Sequence, residues 1–127
     1  MWPWSKKLPV VTMTRAEVLD LLPTAEYYEL LKESYILPSD QEVLDVLGRD
    51  NSTYDHDIND CNDYAYRAKG LIAGRGWPFA VVWIRGTVNP KHSINLYVNR
   101  DKKVVLLEPQ TRMVYADVIQ KFHSILI

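Results

Sequence analysis

Three residues of this 127-residue chain carry side chains that could cooperate in nucleophilic chemistry, namely Cys61, His92 and Glu108. A thiol can attack a carbonyl carbon, an imidazole can accept and return the thiol proton, and a carboxylate can orient the imidazole. Each residue also has an ordinary structural interpretation. A single Cys within a helix, for example, is usually a small apolar side chain packed in the core. The combination predicts a Cys–His–Glu triad with Cys61 as the nucleophile.

Cys61 is predicted to lie in the first turn of a helix. Asp60 can cap this helix, which is expected to run to about Lys69 and to end at Gly70. The N–H groups and dipole at such a position favour a thiolate and can bind an oxyanion. The carboxylates of Asp60 and Asp63 oppose a thiolate, so an imidazolium or a bound cation would have to outweigh them.

A β-hairpin is expected to bring His92 and Glu108 together. Alternating residues predict a strand from His92 to Val98, and a second strand is predicted from Val104 to Leu107. A three-residue loop, Asn99–Asp101, would place His92 directly opposite Glu108, with Cβ atoms about 4.5–5.5 Å apart. A two-residue loop would turn the two side chains to opposite faces, so the triad requires an odd loop length.

The remaining elements are predicted from capping residues and from the spacing of apolar residues. Thr14 and Ser39 each begin a capping box, and Pro23 and Gly48 end the helices that follow. Helices followed by a run of strands predict a single α+β domain over residues 1–127, with helices packed on an antiparallel meander. The predicted helices are 15–22, 24–33, 40–47 and 61–69, the predicted strands are 79–87, 92–98 and 104–107, and 116–126 is a closing helix or strand.

The composition is typical of a globular protein and excludes several other classes. Hydrophobic residues make up 47% of the chain and charged residues 24%. Fifteen basic and 16 acidic residues give a net charge of −1, so the chain lacks the basic surface of a nucleic-acid or membrane-surface binder. It has no apolar run long enough to span a bilayer and no recognisable export signal, which predicts a cytoplasmic protein. Its single cysteine excludes an intrachain disulfide.

Three short segments resemble motifs of a known protein family. Residues 60–65, Asp-Cys-Asn-Asp-Tyr-Ala, are similar to an Asp-Cys-Asp-Asp-Phe-Ala segment of small papain-like cysteine peptidase domains. Residues 91–95 resemble the His-Ala-x-Asn strand of that family, and residues 107–111 resemble its Glu-Pro-Gln-Thr stretch. Such domains form the C-terminal part of the fairy-ring mushroom agglutinin and also occur as stand-alone bacterial and phage domains.

The resemblance implies a papain-like fold and a thioester mechanism in which Cys61 attacks, His92 acts as the base and Glu108 orients His92. The motifs belong to the peptidase part of the agglutinin, so the resemblance implies no carbohydrate binding. It does imply a calcium ion near the site. Asn62 stands where the family has Asp, which removes one charge from such a site. The candidate calcium ligands are Asp60, Asn62 and Asp63.

Three functions are compatible with these residues. The first is a cysteine-dependent peptidase or amidase, and the second is acyl transfer, in which an amine captures the thioester. The third is a non-enzymatic, phage-type interaction protein on the same fold, which binds a host or partner protein. In all three the partner is a peptide or protein rather than a nucleic acid or a membrane. The aromatic residues that could form the contact surface of an interaction protein are Trp2, Trp4, Trp77 and Tyr115.

Overall fold

A computed structural model describes residues 9–55, 59–86, 92–114 and 119–127, and within them the helices lie before residue 73, among three short strands, whereas five strands follow. The predicted α+β class is confirmed, since three helices accompany a six-stranded mixed sheet in these residues. None of the described helices has the length and apolar character needed to cross a membrane. In chain order the elements are β1 (Thr12–Thr14), α1 (Arg15–Leu21), β2 (Ala25–Glu29), β3 (Ser34–Ile36), α2 (Asp40–Leu47), α3 (Cys61–Ile72), β4 (Phe79–Gly86), β5 (His92–Val98), β6 (Val104–Glu108), β7 (Met113–Val114) and β8 (Ile119–Leu126).

Each of the three helices begins at a capping box, and all three N-termini agree with the sequence prediction. The Ser39 hydroxyl accepts from the backbone N–H of Glu42 at 3.1 Å, and the Glu42 carboxylate accepts from the Ser39 N–H at 3.0 Å. Helix α3 continues past the predicted stop at Gly70 to Ile72. The Ile72 side chain is buried in the core, and this packing keeps the last turn helical.

The main sheet has the strand order β2-β8-β4-β5-β6-β7, and β1 pairs with β3 in a separate two-stranded sheet. The predicted antiparallel meander is present as β4 to β7. The prediction of a purely antiparallel sheet is wrong, because β2 pairs in parallel with β8. The segment predicted as a closing helix or strand is the strand β8.

The predicted helix over residues 24–33 is also wrong, because strand β2 lies there and strand β3 follows it. Tyr27 and Tyr28 pair with Ser124 and Ile125 of β8, almost a hundred residues later in the chain. Tyrosine favours strands, and the spacing that suggested a helix face belongs to an edge strand on which Tyr27 is largely exposed. A pairing partner so distant in sequence overrides the local pattern.

Strands β5 and β6 are joined by five residues, 99–103, so the loop has the odd length that the triad requires, although it is longer than the three-residue loop considered from the sequence. Asn99 organises the loop, because its side-chain oxygen accepts from the backbone N–H groups of Asp101 and Lys103 at 3.0 and 3.1 Å. Asn95 pairs with Leu107. This register keeps His92 and Glu108 on one face of the sheet, as diagonal rather than direct neighbours.

The sheet has a hydrophobic core on each face, and strand β5 contributes to both. Ile94 and Leu96 are fully buried on one face, and Tyr97 is buried on the other. The first core includes Val18, Leu22, Tyr35, Ala80, Val82, Ile94, Leu96 and Ile125, and the second, beneath α2 and α3, includes Val43, Val46, Ala68, Ile72, Phe79, Tyr97 and Leu107.

The buried side chain of Asn95 fixes α3 to this sheet. Its amide nitrogen donates to the carbonyl oxygen of Ala65 in α3 at 3.1 Å and to that of Ala80 in β4 at 2.9 Å. The side chain is completely buried, and its oxygen has no hydrogen-bond partner among the residues that the structure describes. Because buried polar groups are costly unless they are paired, these two bonds define where the helix can lie on the sheet.

Replacing Asn95 by alanine is expected to lower the free energy of unfolding by about 2 kcal/mol, because two buried hydrogen bonds are lost. Urea denaturation measures this change. Asn51→Ala is the matched control, since Asn51 is exposed and its truncation should change stability by less than about 0.5 kcal/mol. Equal effects of the two variants would contradict the role assigned to Asn95.

Candidate functional site

A cavity of about 480 Å³ opens where the N-terminus of α3 meets strands β4, β5 and β8. This volume is typical of small-molecule sites. Each of the four elements contributes two adjacent residues to the wall. They are Cys61 and Asn62 of α3, Trp83 and Ile84 of β4, His92 and Ser93 of β5, and His123 and Ser124 of β8.

Trp83 and Ile84 make part of the wall apolar. The ring of Tyr66 in α3 meets the Trp83 ring edge-on, with centroids 5.7 Å apart and planes at 61°. Such an arrangement is favourable for aromatic pairs and limits the orientations that the indole can adopt. Trp83 is only half-buried, so it has surface available to a ligand.

Polar side chains stand beside this apolar wall. The Ser93 hydroxyl donates to the side-chain oxygen of Asn62, which ties β5 to the start of α3. His123 Nδ1 contacts the hydroxyl of Ser124, and His123 Nε2 lies 3.6 Å from a carboxylate oxygen of Glu26. The cavity therefore combines an apolar wall with hydroxyl, amide and imidazole groups that can donate or accept hydrogen bonds.

The structure brings all three residues of the predicted triad to this region. Cys61 and His92 both line the cavity. His92 Nε2 lies 2.6 Å from Glu108 Oε2, and both of these side chains are largely buried. A carboxylate at this distance holds the imidazole ring in one orientation. The contact with Glu108 fixes the orientation of the His92 ring. A fixed ring suits a residue that binds a ligand as well as one that acts as a base.

The three candidate calcium ligands are engaged in hydrogen bonds at the start of α3. The Asp60 carboxylate accepts from the backbone N–H groups of Asn62 and Asp63 at 3.1 and 3.3 Å, and the Asp63 carboxylate accepts from the Asp60 N–H at 3.0 Å. Within the described residues, no group of three or more His, Cys, Asp or Glu side chains is placed to hold a metal ion. Calcium binding stays an untested prediction.

An ion-pair cluster supports the loop before α3. Arg67 Nε lies 2.7 Å from the Asp50 carboxylate, and another guanidinium nitrogen donates to Ser52 and Asn59 at 2.7 and 2.8 Å. Tyr64 donates to the carbonyl oxygen of Ser52 at 2.7 Å. Burial would raise the pKa of Asp50, but hydrogen bonds from Ser52 and Arg67 outweigh it and lower that pKa.

Sequence reasoning missed half of the cavity wall. Trp83 pairs with Ser93 on one side and with Ser124 on the other, so these residues meet only after β8 has joined the sheet. No local pattern indicates that pairing. Of the predicted aromatic surface, Trp2, Trp4 and Tyr115 lie outside the described residues, whereas Trp77 lies beside a different cleft, under the guanidinium of Arg75 at 5.4 Å.

Comparison with known proteins gives structural neighbours only. No family model matches the chain, and no curated protein matches it. A solved complex of PSL1a with E64 has a TM-score of 0.79 and 19% identity over 91% of this chain and 51% of its own. Polyporus squamosus lectin bound to the human-type influenza-binding epitope Neu5Aca2-6Galb1-4GlcNAc has a TM-score of 0.77 and 19% identity over 91% of this chain and 49% of its own. The chain thus spans about half the length of each neighbour.

These findings correct the family and the function inferred from the resemblance. One of these neighbours is a lectin bound to a saccharide. The assignment to the papain-like cysteine peptidases, the hydrolase function and the thiol-protease triad are therefore withdrawn, together with acyl transfer, which needs the same thioester. At 19% identity the likeness establishes a shared fold, and the papain-like form is not confirmed.

Because the pKa of Asp50 is lowered in the folded protein, the contacts of Asp50 that support the loop before α3 are sensitive to acid. An Asp whose pKa is lower in the folded protein than in the unfolded chain stabilises the fold at any pH above the unfolded-state pKa, which is about 3.9. This stabilisation is lost as the pH falls through the folded-state pKa. Asp50→Asn should cost about 1 kcal/mol at pH 7, since Arg67 is partly exposed. Urea denaturation from pH 7 to pH 3 should show this difference shrinking.

Asp20→Asn, on the exposed side of α1, is the control and should match the wild type throughout this range. If the free energies of unfolding of the wild type and Asp50→Asn differed by the same amount down to pH 3, the ionised Asp50 carboxylate would not be the group that supports the loop.

Proposed function

We propose that this chain is a non-enzymatic binding domain that holds a saccharide in the cavity at the N-terminus of α3. The main support for this proposal is the cavity wall, in which the half-buried Trp83 ring lies beside hydroxyl and amide groups. A pyranose ring has C–H groups on its faces and hydroxyl groups around its edge. An indole ring can cover such a face while neighbouring polar side chains bond the hydroxyls.

Hydrogen-bonding capacity supports the same ligand class. Ser93 and Asn62 bond each other, but a hydroxyl oxygen has two lone pairs and an amide nitrogen has two N–H groups, so both retain capacity for a ligand. The Glu108 carboxylate orients His92, which can then present its ring to the cavity in one fixed direction. Fixed polar groups reduce the entropy lost when a ligand binds.

The comparisons support a saccharide over the peptide or host-protein partner expected from the sequence. A neighbour of the same fold is bound to a sialylated trisaccharide. The chain covers about half of that neighbour, so the transfer of saccharide binding to this chain is part of the proposal. In this interpretation Cys61 contributes a wall atom and forms no bond with the ligand.

Trp83→Ala should weaken saccharide binding at least tenfold, about 1.4 kcal/mol, because the flat apolar surface is removed. Isothermal titration calorimetry with Neu5Aca2-6Galb1-4GlcNAc, and with the disaccharide that lacks the sialic acid, measures the affinities. Trp77→Ala is the matched control, since it removes the same ring beside a different cleft, and it should change the affinity for the neutral disaccharide less than twofold. Absence of binding to both sugars, or equal losses in the two variants, contradicts the proposal.

Cys61→Ser separates binding from chemistry in the same experiment. It should retain the wild-type affinity within about twofold, because the substitution exchanges one wall atom for a slightly smaller one and leaves the other lining residues in place. The wild type and Cys61→Ser should also be equally inactive on a library of peptides and simple amides. Cleavage of any of these by the wild type and not by Cys61→Ser would contradict a non-enzymatic domain.

A further inference from the structure

A second cleft, of about 150 Å³, lies at the opposite end of α3 from the saccharide cavity. Lys69, in the last turn of α3, and Lys32 line it together with the glycine-containing turn that follows the helix. Leu31 and Trp77 supply apolar surface. The cleft therefore combines two ammonium groups with apolar walls.

The two lysines share this cleft, and the charge of Lys32 acts on Lys69. Lys69 Nζ donates to the carbonyl oxygen of Phe79 at 2.8 Å, which uses one of its three N–H groups. Neither ammonium forms an ion pair with any described residue. Burial, and after it the charge of Lys32, lowers the pKa of Lys69. An anion bound between the two ammonium groups would offset the repulsion between them.

We propose that this cleft binds a small carboxylic acid, with the carboxylate between Lys32 and Lys69 and its apolar part against Trp77. Two geometric features favour a monoanion over a dianion such as phosphate. The cleft is partly apolar, and the cost of desolvating an ion rises steeply with its charge. The last carbonyl groups of α3 also end here, and their partial negative charge repels a dianion more strongly than a monoanion.

The test is a titration followed in ¹H–¹⁵N NMR spectra through the amides of Gly74 and Gly76, which line the cleft. Sodium acetate should produce saturating shifts with a Kd in the millimolar range, as for one partly exposed ion pair, at an ionic strength held constant with sodium chloride. Sodium phosphate should bind at least fivefold more weakly. Tighter binding of phosphate, or acetate shifts that do not saturate, would overturn the proposal.

Variants assign the binding to the lysines. Lys32→Met and Lys69→Met should each weaken acetate binding at least fivefold, whereas Lys103→Met, an exposed lysine in the β5–β6 loop, should leave it unchanged. Lys32 is exposed, so its variant remains informative if Lys69→Met disturbs folding. Acetate binding that survives in Lys32→Met overturns the proposal. Trp83→Ala should leave acetate binding intact, so this site and the saccharide cavity can fail independently.

Discussion

Strand β5 holds the helical layer in place through every second side chain, and the buried amide of Asn95 is central to this arrangement. Ser93 bonds Asn62 at the start of α3, Asn95 bonds the carbonyl oxygen of Ala65 one turn later, and the Tyr97 hydroxyl donates to Asp40 in α2 at 2.7 Å. Burial and the bond to Asp40 raise the pKa of Tyr97, which favours the neutral hydroxyl that donates this bond. These polar contacts are directional, whereas the apolar packing around them would tolerate small displacements.

The cavity follows from this constraint. Because Ser93 and Asn95 fix the first turns of α3, Cys61 and Asn62 project over the ends of β4 and β5, where β8 adds a further wall. Arg67, farther along the same helix, holds the preceding loop through Asp50 and Asn59. The site is thus assembled mostly from regular elements, which hold its groups in fixed positions before any ligand binds.

Features encoded locally were predictable from the sequence, and features that depend on distant pairing were not. The capping boxes at Thr14, Ser39 and Asp60 specify the helix starts through contacts three residues apart. His92 and Glu108 share a face because the β5–β6 loop has an odd number of residues. That length was not predictable, since the alternation of the two strands fits loops of either parity and the loop depends on the side-chain bonds of Asn99. Strand β2 and the Trp83 wall required the pairing of β8, which no local pattern reveals. Residue types alone suggested a reactive thiol, although the same types can line a binding cavity.

The most direct test of the central claim is an NMR titration of the protein with Neu5Aca2-6Galb1-4GlcNAc, observed at the indole N–H of Trp83. We expect a saturating shift of this signal, accompanied by shifts of the Ser93 and Ser124 amides across the cavity. An unchanged Trp83 signal at saturating sugar, or shifts confined to other parts of the molecule, would contradict a saccharide site in this cavity.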